Sequence, residues 1–143
     1  MSVADGSLVS IVDDDVPFCR ALSRFVEALG LPVAPFHSAE AFLRSEALAT
    51  TACLILDVWM PGMTGIELQG RLLAEGHHLP VIFIAGDADA AVREEAFAAG
   101  AIAFLSKPFD AGTLISCIRR AIGDHAVPQP NPGRPLEASH PGR

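Results

Sequence analysis

Lysine occurs once in these 143 residues, at Lys107, and arginine supplies every other positive side chain. Ten Lys and Arg stand against 17 Asp and Glu, a formal net charge of −7. That shortage of positive charge argues against general binding to nucleic acid, whose phosphates want a basic face. Long apolar runs are missing too. The longest, Ala96 to Leu105, has ten residues, far short of the roughly 18 needed to cross a bilayer. The first ten residues hold no Lys or Arg, so no secretory leader is visible. The expectation is a cytoplasmic chain with reduced thiols and no membrane association. Cys19, Cys53 and Cys117 lack metal-ligand spacing and read as small buried hydrophobes.

What the chain has is five alternations of strand and helix. Leu8 to Val12 reads as a first strand, followed by a helix capped by Asp14 or Asp15 with Pro17 in its first turn. Phe18, Leu22, Phe25, Val26 and Leu29 give that helix an apolar stripe, and Gly30 stops it. Pro32 to Phe36 is a short strand, and Ser38 caps a short helix carrying Ala41, Phe42 and Leu48. Ala52 to Leu56 is the third strand, ended by Asp57. Thr64 and Glu67 have capping-box spacing for a helix to about Glu75. Pro80 to Ala85 is the fourth strand, and Asp87 or Asp89 opens a helix closed by Gly100. Ile102 to Leu105 is the fifth strand, and Asp110 caps a helix with Leu114, Ile118 and Ile122 on one face.

The strands are continuously apolar rather than alternating, which fits parallel strands covered on both faces. The array is too short for an eightfold barrel. It fits an α/β, flavodoxin-like, doubly wound (βα)5 fold with a five-stranded sheet in the order 2-1-3-4-5. Residues 7–123 are expected to form this domain. Residues 124–143, with prolines at 128, 130, 132, 135 and 141, read as a disordered or extended tail. His77 and His78 fall in a loop with no ligand-spaced partner and read as solvated.

In such sheets a ligand sits beyond the carboxyl ends of the strands, where the strand order reverses. Asp13 and Asp14 follow the first strand, Asp57 the third and Lys107 the fifth. Each pair of carboxylates about 4 Å apart costs on the order of 4 kcal/mol at an effective dielectric of about 20. One lysine does not balance that. A divalent cation would, and hard oxygen ligands favour Mg²⁺. Solitary Asp57 reads as a nucleophile toward phosphorus, and Asp13-Asp14 as a chelating pair.

Three motifs carry a resemblance: Val12-Asp13-Asp14-Asp15, Leu56 to Gly65 (Leu-Asp-Val-Trp-Met-Pro-Gly-Met-Thr-Gly), and Phe104-Leu105-Ser106-Lys107-Pro108-Phe109. Over residues 7–122 the chain resembles the receiver domain of bacterial two-component response regulators, most closely the nitrogen-fixation regulator type. The resemblance implies that Asp57 is the phosphoacceptor and that Lys107 contacts the phosphoryl group. It implies Mg²⁺ held by Asp14 and Asp57, by the main-chain carbonyl of Trp59, and by Asp13 through water. It places a cis peptide before Pro108 and an aromatic switch at Phe104. It implies phosphoryl transfer from a histidine kinase or histidine phosphotransfer protein, with a downstream protein on the face of the fourth helix, fifth strand and fifth helix. Homodimerisation is left open.

Two departures stand out. Ala85 occupies the end of the fourth strand, where the family has Thr or Ser, and Trp59 follows the phosphoacceptor by two residues. Phe104 also lacks the hydroxyl of a tyrosine. No DNA-binding segment is visible, so the expectation is a stand-alone receiver, not an enzyme beyond self-catalysed phosphorylation and dephosphorylation. The competing readings are a receiver-fold interaction module whose switching Ala85 impairs, and a metal-dependent phosphatase with an aspartyl intermediate. The phosphatase would want a second acid where Trp59 stands. A nucleotide-binding domain would want a glycine- or hydroxyl-rich loop where Asp13-Asp14-Asp15 stands.

Overall fold

A computed structural model describes residues 7–87 and 89–123. The strands are β1 (Leu8–Val12), β2 (Val33–Phe36), β3 (Thr51–Asp57), β4 (Val81–Ala85) and β5 (Ala103–Ser106). The helices are α1 (Val16–Ala28), α2 (Ala39–Leu43), α3 (Gly65–Ala74), α4 (Ala90–Ala98) and α5 (Ala111–Ile122). All strand pairs are parallel and the sheet order is β2-β1-β3-β4-β5, the order expected from the pattern of short apolar strands. The reversal falls between β1 and β3, so their carboxyl ends flank a crevice.

Strand side chains alternate between two apolar layers. Val9, Ile11, Ile55, Ile82 and Ile84 pack with Cys19, Leu22 and Val26 of α1 and with Leu114, Cys117 and Ile118 of α5. Leu54, Leu56, Phe83 and Ala85 pack on the other face with Phe42 of α2, Leu68 and Leu72 of α3, and Ala96 of α4. Both faces are buried, which explains why these strands carry no polar alternation. The three cysteines are free and buried, and burial pushes the Cys53 thiol up to about 12. Among the described residues, no helix is long and apolar enough to cross a membrane.

The helix starts follow from local chemistry. Asp15 caps α1 by accepting from the Phe18 N–H at 3.1 Å, and Ser38 caps α2 through Ala41 N–H at 3.0 Å. Thr64 and Glu67 form the capping box, at 3.1 and 2.9 Å. Asp89, not Asp87, caps α4. Gly30 and Gly100 stop α1 and α4 at φ 92° and 97°, the left-handed region that favours glycine.

Three expectations need correction. Leu48 is not on α2: that helix ends at Leu43, and a 3-10 turn, Glu46–Ala49, follows under its own cap, Ser45. The interposed Ser45 offers its hydroxyl to Ala47 N–H and restarts the chain. Asp110 stands at the N-cap of α5 but makes no side-chain cap bond; its carboxylate accepts from the Thr113 hydroxyl instead. β3 begins one residue earlier than expected, at Thr51, and ends at Asp57 as expected. The proline-rich tail lies outside the described residues.

α3 begins against the end of β3. The Gly65 N–H donates to Val58 carbonyl at 2.8 Å, and a Cβ on Gly65 would meet the Asp57 carbonyl oxygen at 2.2 Å and Leu56 Cγ at 3.1 Å. Gly70, inside the same helix, would meet nothing within 4 Å. We expect Gly65→Ala to destabilise the domain by about 1–3 kcal/mol through overpacking. Gly70→Ala should stabilise it by about 0.5–1 kcal/mol through helix propensity. Urea unfolding of both variants checks this pair, and equal effects would contradict the packing of α3 on β3.

Candidate functional site

The carboxyl ends of β1, β3 and β5 bring the sequence-marked residues together. Asp13 is fully buried; its Oδ1 accepts from Asp15 N–H at 2.9 Å and its Oδ2 receives Lys107 Nζ at 3.1 Å. The Asp13 main-chain N–H is tied to Phe36 carbonyl of β2 at 3.0 Å. Asp57 is 5% exposed at the end of β3, opposite Ile84 of β4. Asp14 is exposed to solvent. One carboxylate oxygen from each of Asp13, Asp14 and Asp57 lies within 4.8 Å of the others.

Lys107 is anchored from two sides. Its main-chain N–H donates to the Ala85 carbonyl at 2.8 Å, and the peptide to Pro108 is cis. Its ammonium sits 4.2 Å from the centroid of the Phe18 ring of α1, a cation–π contact that stiffens the long stem. The apolar period places Phe18 on the core stripe of α1 and gives no hint that its ring meets Lys107, just past β5.

Burial, with charge crowding second, governs the electrostatics. Burial is the main reason that the Asp57 carboxyl is pushed up from 3.8 to about 7. The Asp13 charge adds to the rise, the Lys107 ammonium opposes it, Asp14 adds a little, and the Trp59 main-chain N–H opposes it slightly. Three close hard oxygen donors with more negative charge than one ammonium balances suit a small divalent cation. The acid group fits Mg²⁺ on that chemistry: Asp13, Asp14 and Asp57 each have an oxygen to offer.

Ala85 is fully buried, its methyl in the apolar layer that also holds Phe104, Val58 and Met60. Phe104 is 6% exposed. The guanidinium of Arg93, from α4, lies 5.2 Å from the Phe104 ring centroid and 5.7 Å from that of Phe97, and donates to the Phe104 carbonyl at 3.4 Å. Sequence reasoning missed Arg93, which looks like an ordinary exposed helix residue. It also missed the contact made by Trp59. The indole is 49% exposed, and its Nε1 donates to the Asp87 carbonyl at 2.5 Å.

Residues 9–119 match the sequence model of the response regulator receiver domain. The chain belongs to this family. It is 44% identical over 116 residues to the response regulator protein TmoT of Ectopseudomonas mendocina, covering 81% of this chain and 53% of that one. It is 38% identical over 118 residues to the transcriptional regulatory protein FixJ of Azorhizobium caulinodans, covering 82% and 56%. Among solved structures, a response regulator receiver protein from Burkholderia phymatum is 41% identical with a TM-score of 0.71, covering 85% of this chain and 98% of that one. The chain spans about half the length of the curated relatives it matches. The receiver fold, the sheet order and the acid group at the carboxyl edge agree with one another.

The Asp57 shift has a testable sign. A carboxyl that titrates at 3.8 unfolded and at about 7 folded holds its proton more tightly in the folded state. Without metal, stability therefore falls as pH rises from about 4 to 7, because the folded state binds more protons across that window. The full loss is on the order of 4 kcal/mol. Asp57→Asn removes it. In chelator-treated buffer the urea midpoint of the variant should exceed that of wild type by a margin that grows from about pH 4 to 8 and shrinks on adding Mg²⁺. A margin that does not change with pH would contradict the burial-driven shift.

Proposed function

We propose that this receiver accepts a phosphoryl group on Asp57 and passes the signal on through protein contacts or onward phosphorelay. The observation that carries the reading is the convergence of Asp13, Asp14 and Asp57 with Lys107 at the carboxyl ends of three neighbouring strands. Of the three carboxylates, Asp57 is the one that lies within a strand, the central one of the five, paired with Ile84 of β4. It has the fixed backbone that a nucleophile requires.

In the forward step an Asp57 carboxylate oxygen attacks phosphorus, the new O–P bond forms, and the P–N bond of a phosphohistidine donor breaks. The imidazole leaves and takes up a proton from solvent. Lys107 faces the incoming phosphoryl oxygens and opposes their charge. Asp13 holds Lys107 in place through the 3.1 Å ion pair. Bound Mg²⁺ would be held by Asp14 and Asp57, by the Trp59 carbonyl and by Asp13 through water, and would neutralise the carboxylates and the transferring group. Burial pushes the Asp57 carboxyl up to about 7 in the absence of a cation, so a bound cation would also favour the ionised nucleophile. Water attack on the acyl phosphate returns Asp57 and inorganic phosphate, so the chemistry is confined to self-catalysed phosphorylation and dephosphorylation. On this reading the chain acts in the cytoplasm, and its partners are a histidine kinase or histidine phosphotransfer protein and a target protein on the face formed by α4, β5 and α5.

The second reading, an interaction module with impaired switching, is favoured by Ala85, whose methyl offers no hydrogen bond to a phosphoryl oxygen.

Incubation with Mg²⁺ and a small phosphodonor such as acetyl phosphate should add about 80 Da, the mass of one phosphoryl group, at Asp57. Asp57→Asn should abolish the gain, and Asp14→Ala should remove most of its Mg²⁺ dependence. Intact mass with mapping of the modified residue decides the matter. Equal labelling of the Asp57 variant would rule out the assignment.

A further inference from the structure

The loop between β4 and α4 follows Ala85, so no side-chain hydroxyl at that strand end ties it to the acid group. A different side chain does. The Trp59 indole crosses to this loop and donates to the Asp87 carbonyl, a contact between residues 28 apart in the chain. The ring also walls a notch of about 400 Å³ with Asp87, Asp89 and Val92. Asp89 is the N-cap of α4 and receives Val92 N–H at 3.0 Å, so the indole holds the backbone two residues before that cap.

The other end of Trp59 is tied to the site. Val58, between Asp57 and Trp59, is 1% exposed. Its N–H donates to the Ile84 carbonyl at 2.9 Å and its carbonyl accepts from Gly65 N–H at 2.8 Å. Trp59 is therefore the first residue past β3 that the sheet does not hold, and the one whose side chain reaches α4's loop. The usual alternative, movement of the aromatic residue of β5, is restrained: Phe104 is buried and lies under Arg93, which α4 itself supplies.

We propose that Trp59 is a positioning residue that couples the Asp57 site to α4, its indole tether to the Asp87 carbonyl replacing the hydroxyl absent at Ala85. The proposal rests on Asp57 being the phosphoacceptor. A phosphoryl group on Asp57 adds charge and volume within the acid group and displaces the segment after Val58. The indole carries that displacement to Asp87 and so to α4. A ligand shifts an equilibrium only by its differential contact in the two states. One neutral hydrogen bond corresponds to a shift of about 2- to 10-fold in population.

The test uses the full ¹⁵N-labelled chain with Mg²⁺ and beryllofluoride as the phosphoryl mimic. Amides near the site (Val58, Lys107) and amides of α4 (Arg93 to Ala98) are followed separately. In wild type both sets should respond. Trp59→Phe keeps an aromatic ring but loses the donor. Measured against the near-site response of the same variant, its α4 response should fall about 2- to 10-fold relative to wild type. Adding Ala85→Thr to Trp59→Phe should restore the α4 response, a rescue that a merely structural tryptophan would not permit. A full α4 response in Trp59→Phe, or no rescue in the double variant, overturns the proposal while leaving the phosphoacceptor reading in place. Near-site amides that ignore beryllofluoride in wild type would overturn both.

Discussion

Asp13 lies fully buried 3.1 Å from the single lysine, and Asp57 shares the same space at 5% exposure. Removing such charges from water costs more than a surface pair would, and a buried ion pair is weak evidence of stabilisation. The domain tolerates the arrangement because two apolar layers, one on each face of the sheet, hold the strand ends in register. The acid group thus draws on the stability of the core. Its excess negative charge suits it to receive a cation and a phosphoryl group. The Asp57 carboxyl, shifted mainly by burial to about 7, registers the same imbalance: a proton neutralises part of the site when no cation does.

The packing around the site also decides how a change at Asp57 can travel. Val58 is fixed by the sheet and by the start of α3, and Lys107 by the Ala85 carbonyl and the Phe18 ring. Ala85 contributes a methyl to the apolar layer beneath Phe104. α4 is held by side chains rather than by a broad apolar stripe. Ala96 is its buried residue, whereas Phe97 is 43% exposed, Arg93 spans the Phe97 and Phe104 rings, and the Trp59 indole fixes the loop before it. An element held by a few polar and cation–π contacts shifts at lower cost than one sealed into a core.

Much of this was legible in the sequence because it is local. Capping residues act within three positions, as Asp15, Ser38, Thr64 and Asp89 do, and continuous apolar runs announce parallel strands buried on both faces. The convergence of Asp13, Asp14, Asp57 and Lys107 was legible because strand ends in a doubly wound sheet are brought to one edge by topology alone. The break after Leu43 was not, because Ser45 caps as readily as it sits inside a helix. Nor were the contacts of Arg93 with Phe104, Phe18 with Lys107, and Trp59 with Asp87. Each joins residues from different elements, and the direction of a long side chain across a gap is set by tertiary packing that no period encodes.

The unbalanced charge of the acid group is tested most directly by calorimetry of Mg²⁺ binding in buffers of different ionisation enthalpy. At about pH 6, below the Asp57 midpoint, binding should release close to one proton, and at about pH 8 almost none. Binding at pH 6 with no proton released would mean that Asp57 is already ionised beside Asp13, and the account of the site as a charge-crowded pocket held partly neutral by a proton would be wrong.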